Sequence, residues 1–229
     1  MKVAASSGKP AFVFFVPLAL GVHFFVQSTP LYTPQVPFVP DPRTPLPAQW
    51  KEPGYGKFLW IQSPNFGPRP KNAVVDTVVV HSTVVPTLEN TTRLFYDTKS
   101  QVSAHFTIGR DGSVIQNVST FERAWQAGVS MDAFGRKNVN DFSVGIEIVN
   151  LNDGKDPYPD AQVQMVGFVI HEMMRRFPIK QIVSHEFIAL PRGRKNDPKN
   201  FPWEKLKWLD LPLYYGENPA APAPVAKVP

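Results

Sequence analysis

The chain has 229 residues, 43% of them hydrophobic and 12% aromatic, which suits one domain of ordinary size with a sizeable core plus extensions. It has no cysteine, so disulfides, thiolate nucleophiles, cysteine-rich zinc sites and a lipid anchor on an N-terminal cysteine are all excluded. A net charge of +5 and a pI near 9.4 suit an anionic partner such as a cell-wall polymer. No dense basic run with interleaved aromatics is present, so nucleic acid is not expected as a partner.

The N-terminus carries Lys2 and Lys9 ahead of an apolar stretch, Ala11–Val26, that Pro17 and His23 interrupt. It is short for a spanning helix and reads as the apolar region of a secretory signal. Residues 1–26 are therefore expected to be a signal peptide that exports the chain to the periplasm or outside the cell. A clear small-x-small cleavage site is missing, and the alternative is an uncleaved N-terminal anchor that associates the protein with the membrane. Residues 27–70 form a proline-rich lead, expected to have little regular structure of its own, and 211–229 a Pro/Ala-rich tail.

Between them, residues 71–210 change character. "NAVVDTVVVHST" is a β-branched run of strand length that brings the chain to His81. "PTLENTTRLFYDTKSQ" predicts a helix capped by Thr87, with Leu88, Leu94 and Phe95 on one face. "SAHFTIGRDGSVIQNV" predicts a hairpin, with Asp111-Gly112 as a two-residue turn signal. "FSVGIEIVN" alternates, with Val144, Ile146 and Ile148 facing one way and Gly145, Glu147 and Val149 the other. "DAQVQMVGFVIHEMMRRF" has apolar residues at helical spacing and Asp160 as its expected N-cap. "KQIVSH" predicts a short strand ending at His185, followed by a loop and a last short helix at Pro202-Trp203. The order argues one α/β domain, a central mixed β-sheet flanked by helices.

Two "HE" pairs suggest a zinc-protease helix, but Arg175 and Ala189 stand where the second histidine of H-E-x-x-H is required. His81 and His185 differ from His171 in closing hydrophobic strands. If those strands are neighbours, two imidazoles meet at one sheet edge, and Asp197 is the nearest carboxylate in a loop able to fold back. Two neutral imidazoles and a carboxylate make an open zinc site. The alternative is two ordinary strand-end histidines and a solvated aspartate. Glu147 is a carboxylate in an apolar strand, where charge is costly unless it has a use. Burial would suit it to move protons, and Lys195 could stabilise an oxyanion. His105, Trp125 and Phe134 are candidates to line a groove for a sugar or peptide.

In order along the chain, "VVVHST", "SAHFTIGRDGSVIQ", "RAWQAGVS", "NDFSVGIEI", "VSHEFIALPRGRKNDP" and "FPW" resemble the zinc-dependent N-acetylmuramoyl-L-alanine amidases of the type-2 amidase family, in its AmpD-like branch, related to the peptidoglycan recognition proteins. The resemblance covers roughly Val74–Leu209. It implies zinc (Zn2+) held by His81, His185 and Asp197, with Glu147 as acid and base and Lys195 as the lysine two residues before the aspartate. It implies a hydrolase that cleaves the amide between N-acetylmuramic acid and L-alanine in peptidoglycan or muropeptides, in peptidoglycan catabolism; a monomer is expected. The alternative is a non-catalytic peptidoglycan-binding module of the same fold. Where the family often has "AWHAG", Gln126 replaces the histidine, and where it often has Gly-Pro after the Asp-Pro pair, Lys199-Asn200 stands. His105, Trp125, Gln126 and Arg194 are the expected substrate contacts.

Overall fold

The computed structural model describes residues 58–221. The expectations for 1–26, for the lead up to residue 57 and for the last residues of the tail lie outside the described residues.

One seven-stranded mixed sheet organises the domain. Its strands are β1 (Phe58–Trp60), β3 (Thr77–Ser82), β4 (Phe106–Ile108), β5 (Val114–Gln116), β7 (Ser143–Ile148), β8 (Gln181–Ser184) and β9 (Leu213–Tyr214), in the spatial order β1-β5-β4-β7-β3-β8-β9. Only the β4–β5 hairpin is antiparallel. A two-stranded ribbon pairs β2 (Phe66–Gly67) with β6 (Arg123–Ala124).

The β-branched runs Thr77–Val80 and Val144–Ile148 take the centre because strands there are covered on both faces. On one face Val78, Val80, Val144, Ile146 and Ile182 pack on helix α2 (Asp160–Arg176) through Val163, Val166, Val169, Ile170 and Met173. Fully burying each such side chain contributes about 1.5–3 kcal/mol. A 3-10 helix, Trp203–Leu209, adds Trp203, Leu206 and Leu209 to the same core. On the other face, a smaller cluster gathers Val79 and Val183 with Ala127, Val139, Phe142, Phe187 and Ile188. The alternation of β3 and β7 puts His81, Gly145 and Glu147 on this second face, away from α2.

Helix α1 (Leu88–Tyr96) is capped as its sequence indicates: the Thr87 hydroxyl accepts from the Asn90 N–H at 3.1 Å. Several expectations need correction. Asp160 is not the cap of α2; Pro159 holds that position, and Asp160 lies in the first turn, paired with Lys205. The β4–β5 turn is longer than two residues: the Gly109 N–H donates to Ser113 O, Asp111 accepts from the Ser113 N–H, and Gly112 takes φ +83°. His185 opens a one-turn helix, α3 (His185–Ile188), directly after β8, not a loop. The domain also outruns 71–210. β1 pairs with β5 as one sheet edge, β9 pairs with β8 as the other, and Ser63, Asn65 and Ala221 are buried. Three apolar residues behind a proline-rich stretch carry too little pattern to announce a strand. Among the described residues no helix is long and apolar enough to cross a membrane.

Candidate metal centre

β3 pairs in parallel with both β7 and β8, so the carboxyl ends of three strands meet at one edge, where open α/β sheets place their ligands. His81 lies directly across from Glu147 in the β3–β7 register. His185 follows β8; its position is set by the Ser184 hydroxyl, which accepts from the Phe187 N–H at 3.0 Å and caps α3. Asp197 returns on the following loop. There the Glu186 N–H donates to the Asp197 carbonyl at 2.9 Å, tying the loop to α3.

The three side chains converge. Asp197 Oδ2 lies 3.1 Å from His185 Nδ1 and 3.6 Å from His81 Nδ1, and the imidazole rings are 4.4 Å apart at 66°. All three residues are buried, and their ligand-type atoms lie within 4.8 Å of one another. Burial works against charge on Asp197, yet hydrogen bonds to His185 and His81 hold its carboxyl well below the usual carboxylate range. His185 is pushed down to about 4, chiefly by burial and then by His81. His81 is likewise opposed by burial, but its contact with Asp197 and the nearby Glu147 carry it above the ordinary imidazole value. A neutral His185 beside an ionised Asp197 has the protonation that a divalent cation needs from its ligands. Two nitrogens and one oxygen, with a cleft in front, fit zinc's preference for three protein ligands and an open position.

That cleft, about 190 Å³, is lined by Glu147, His185, Lys195 and Asp197, with Trp125 and Gln126 on one wall. Burial pushes the Glu147 carboxyl up to about 7, against the pull of His81, and its Oε2 is buried without a hydrogen-bond partner. Lys195 and Asp197 face the same cleft, as alternation across an extended turn predicts.

Arg194 does not join them. Its guanidinium donates to the carbonyls of Leu190, Ala127 and Val129, so it braces loops behind the site. His105 is also elsewhere. It is wholly buried; its Nδ1 accepts from the Gly145 N–H at 2.9 Å, and its Nε2 lies 3.1 Å from the Glu122 carbonyl. Burial and the adjacent Arg69 push it down to about 3, so the ring is neutral and offers no face to a substrate. Phe134 is exposed on a loop away from the cleft, beside Arg136. The residues that sequence reasoning missed are the apolar rim, Val84, Leu94, Phe95 and Val102, and Tyr158 behind Ser82. Val84 has φ +59°, a strained value for a β-branched residue, and such strain concentrates at functional sites. No local sequence signal announces it.

A mixed α/β sheet with two buried histidines, a buried aspartate and a half-buried glutamate at its carboxyl edge has the form of a metal hydrolase. The match to the family model described as N-acetylmuramoyl-L-alanine amidase runs over residues 71–200, more than half of the chain, and the chain belongs to that family. It is 33% identical over 171 residues to the 1,6-anhydro-N-acetylmuramyl-L-alanine amidase AmpD of Escherichia coli, covering 65% of this chain and 90% of that one. With the AmpD of Citrobacter freundii it shares 39% identity over 122 residues, 51% of this chain and 62% of the relative, so that match spans less than two thirds of the relative's length. Among solved structures, a selenomethionine derivative of AmpD superposes with a TM-score of 0.57 at 30% identity, covering 67% of this chain and 94% of the other. The E. coli amidase AmiD, in complex with the substrate anhydro-N-acetylmuramic acid-L-Ala-D-gamma-Glu-L-Lys, superposes with a TM-score of 0.53 at 28% identity, covering 63% and 61%.

Proposed function

We propose that the chain is a zinc amidase that hydrolyses the bond between the lactyl group of N-acetylmuramic acid and the L-alanine of the stem peptide. The observation that carries this reading is the convergence of His81, His185 and Asp197 beside an unpartnered Glu147 carboxylate oxygen in one cleft. When bound, zinc supplies Lewis acidity that polarises the carbonyl and makes water more acidic. His81 and His185 would hold it through Nδ1, the atoms that face Asp197 Oδ2. Glu147 takes the proton of the attacking water and delivers it to the departing alanine nitrogen. Lys195 presents its ammonium to the carbonyl oxygen as that oxygen becomes negative. The positive net charge favours an anionic wall polymer or its fragments as substrate. The basic start and apolar Ala11–Val26 support export, with cleavage or anchoring after it.

The test is mass spectrometry of products from purified sacculi and from soluble anhydro-muropeptides, with and without chelator. Free stem peptide that appears only with zinc is the expected result. Zinc bound stoichiometrically with no peptide released from either material would replace the amidase with a binding module.

A further inference from the structure

Gln126 has no part in the mechanism above, yet its side chain reaches the metal centre at His81. Its side chain lies across β7 at Gly145: a Cβ on that glycine would fall 1.3 Å from Gln126 Oε1 and 2.2 Å from its carboxamide carbon. The backbone of Gly145 needs no special conformation, so the missing side chain here serves the close approach of the amide. Both ends of that amide are engaged. Nε2 donates to Ser143 Oγ at 3.0 Å, and Oε1 lies 3.0 Å from His81 Nε2. The backbone behind it is fixed too, since the Gln126 and Ala127 N–H groups donate to Asn140 Oδ1 at 3.2 and 2.8 Å.

An amide oxygen only accepts. In this orientation it holds a ring hydrogen on His81 Nε2, so that Nδ1, the atom on the side of Asp197 Oδ2 and the His185 ring, is the nitrogen left to meet a metal. We propose that Gln126 is a positioning residue of the metal centre, which selects the His81 tautomer that can ligate zinc and holds the ring at the angle the site requires. The inference rests on the metal-hydrolase reading and adds a residue to it. It also moves Gln126 from the role of substrate contact to that of support for a ligand, the kind of partner whose loss weakens a metal by roughly 10–100-fold.

The experiment is a competition between zinc-loaded full-length protein and a chelator of known zinc affinity. Gln126→Leu should bind zinc roughly 10–100-fold more weakly with an unchanged melting temperature in the zinc-free state. Gln126→Glu, whose carboxylate accepts the same hydrogen bond, should restore the affinity to near that of the parent. In zinc-saturated protein, kcat should fall more than KM rises for Gln126→Leu. Parental zinc affinity in Gln126→Leu, with a raised KM, would return Gln126 to the substrate cleft and overturn the proposal. If Gln126→Leu does not fold, Ser143→Ala is the smaller perturbation: it removes the anchor of the amide and should still weaken zinc. Parental affinity there would equally overturn it. Failure of the parent protein to bind zinc would instead sink the metal reading itself, which separates the two.

Discussion

Glu147 and Lys195 are the two charged side chains that face the cleft without belonging to the ligand set. Glu147 is half-buried with its Oε2 enclosed and unpartnered, and desolvation of the carboxyl raises it to about 7. Glu147→Gln keeps the shape and removes the base, so zinc content and fold should persist while turnover falls by roughly 10²-fold or more. Near-parental turnover with zinc bound would reject it as the proton carrier. Lys195 lines the cleft beside Asp197, and its ammonium gains most when negative charge develops on the substrate, so its contribution is largest in the transition state. Lys195→Ala should lower kcat by about 10²–10³, the scale of a lost oxyanion donor, with KM little changed. Its neighbour Arg194 donates three hydrogen bonds to carbonyls of the supporting loops. Arg194→Ala should therefore cost roughly 1–2 kcal/mol of stability and leave kcat far less affected. A larger kcat loss at Arg194 than at Lys195, measured side by side, would contradict this placement.

At the scale of elements, the parts that were legible in the sequence are those with a strong period. Thr77–Ser82, Ser143–Ile148 and α2 announce themselves through β-branched runs and helical spacing, and His81 and His185 stand out as strand-end residues. Their meeting required knowledge of strand order, which a local pattern does not contain; β3 lies between β7 and β8 only because of long crossovers. His105 and Gly145 show the opposite case. Each looks like an ordinary strand residue, and each owes its place to a contact with a distant segment. The α3 turn was invisible because one helical turn after a strand has no period to detect. It nonetheless aims a ligand. With the Ser184 hydroxyl capping it, Ser184→Ala should lower stability by about 1 kcal/mol and also weaken zinc binding, since His185 is the first residue of that turn. Chemical denaturation and chelator competition on the same samples would check both effects. A stability loss with parental zinc affinity would show that β8 alone fixes His185.

For the whole molecule, the question is where the domain begins. Composition placed the start at residue 71, because prolines dominate the preceding stretch. The structure ties this segment into the domain instead: β1 pairs with β5, and Ile61, Ser63 and Asn65 are buried. The Arg69 guanidinium donates to the carbonyls of Asn140, Asp141, Ser143 and Thr120, next to the wholly buried His105. Burial lowers its pKa to about 10, against the pull of Asp141, so it remains charged near neutrality. Ser63 donates to the Phe95 carbonyl, and the Asn65 carboxamide donates to the carbonyls of Phe95, Asp97 and Val102. The same segment thus fixes the end of α1 and the chain that supplies Leu94, Phe95 and Val102 to the cleft rim. A chain beginning at Lys71 would take these donors away, leaving the Asp97 carbonyl its bonds from Ser100 but costing about 1–3 kcal/mol for each other acceptor that stays buried without a partner. Summed over several groups, that equals much of the 5–15 kcal/mol that holds a typical domain folded. Such a chain is expected to be largely unfolded at 37 °C, whereas one beginning at Phe58 should unfold cooperatively. Arg69→Met, which keeps the apolar stem and removes the donors, should fall between them. Thermal unfolding of the three by circular dichroism, with zinc content measured in parallel, decides the matter. A chain beginning at Lys71 that melts with the parent and retains stoichiometric zinc would return residues 58–70 to the status of a lead.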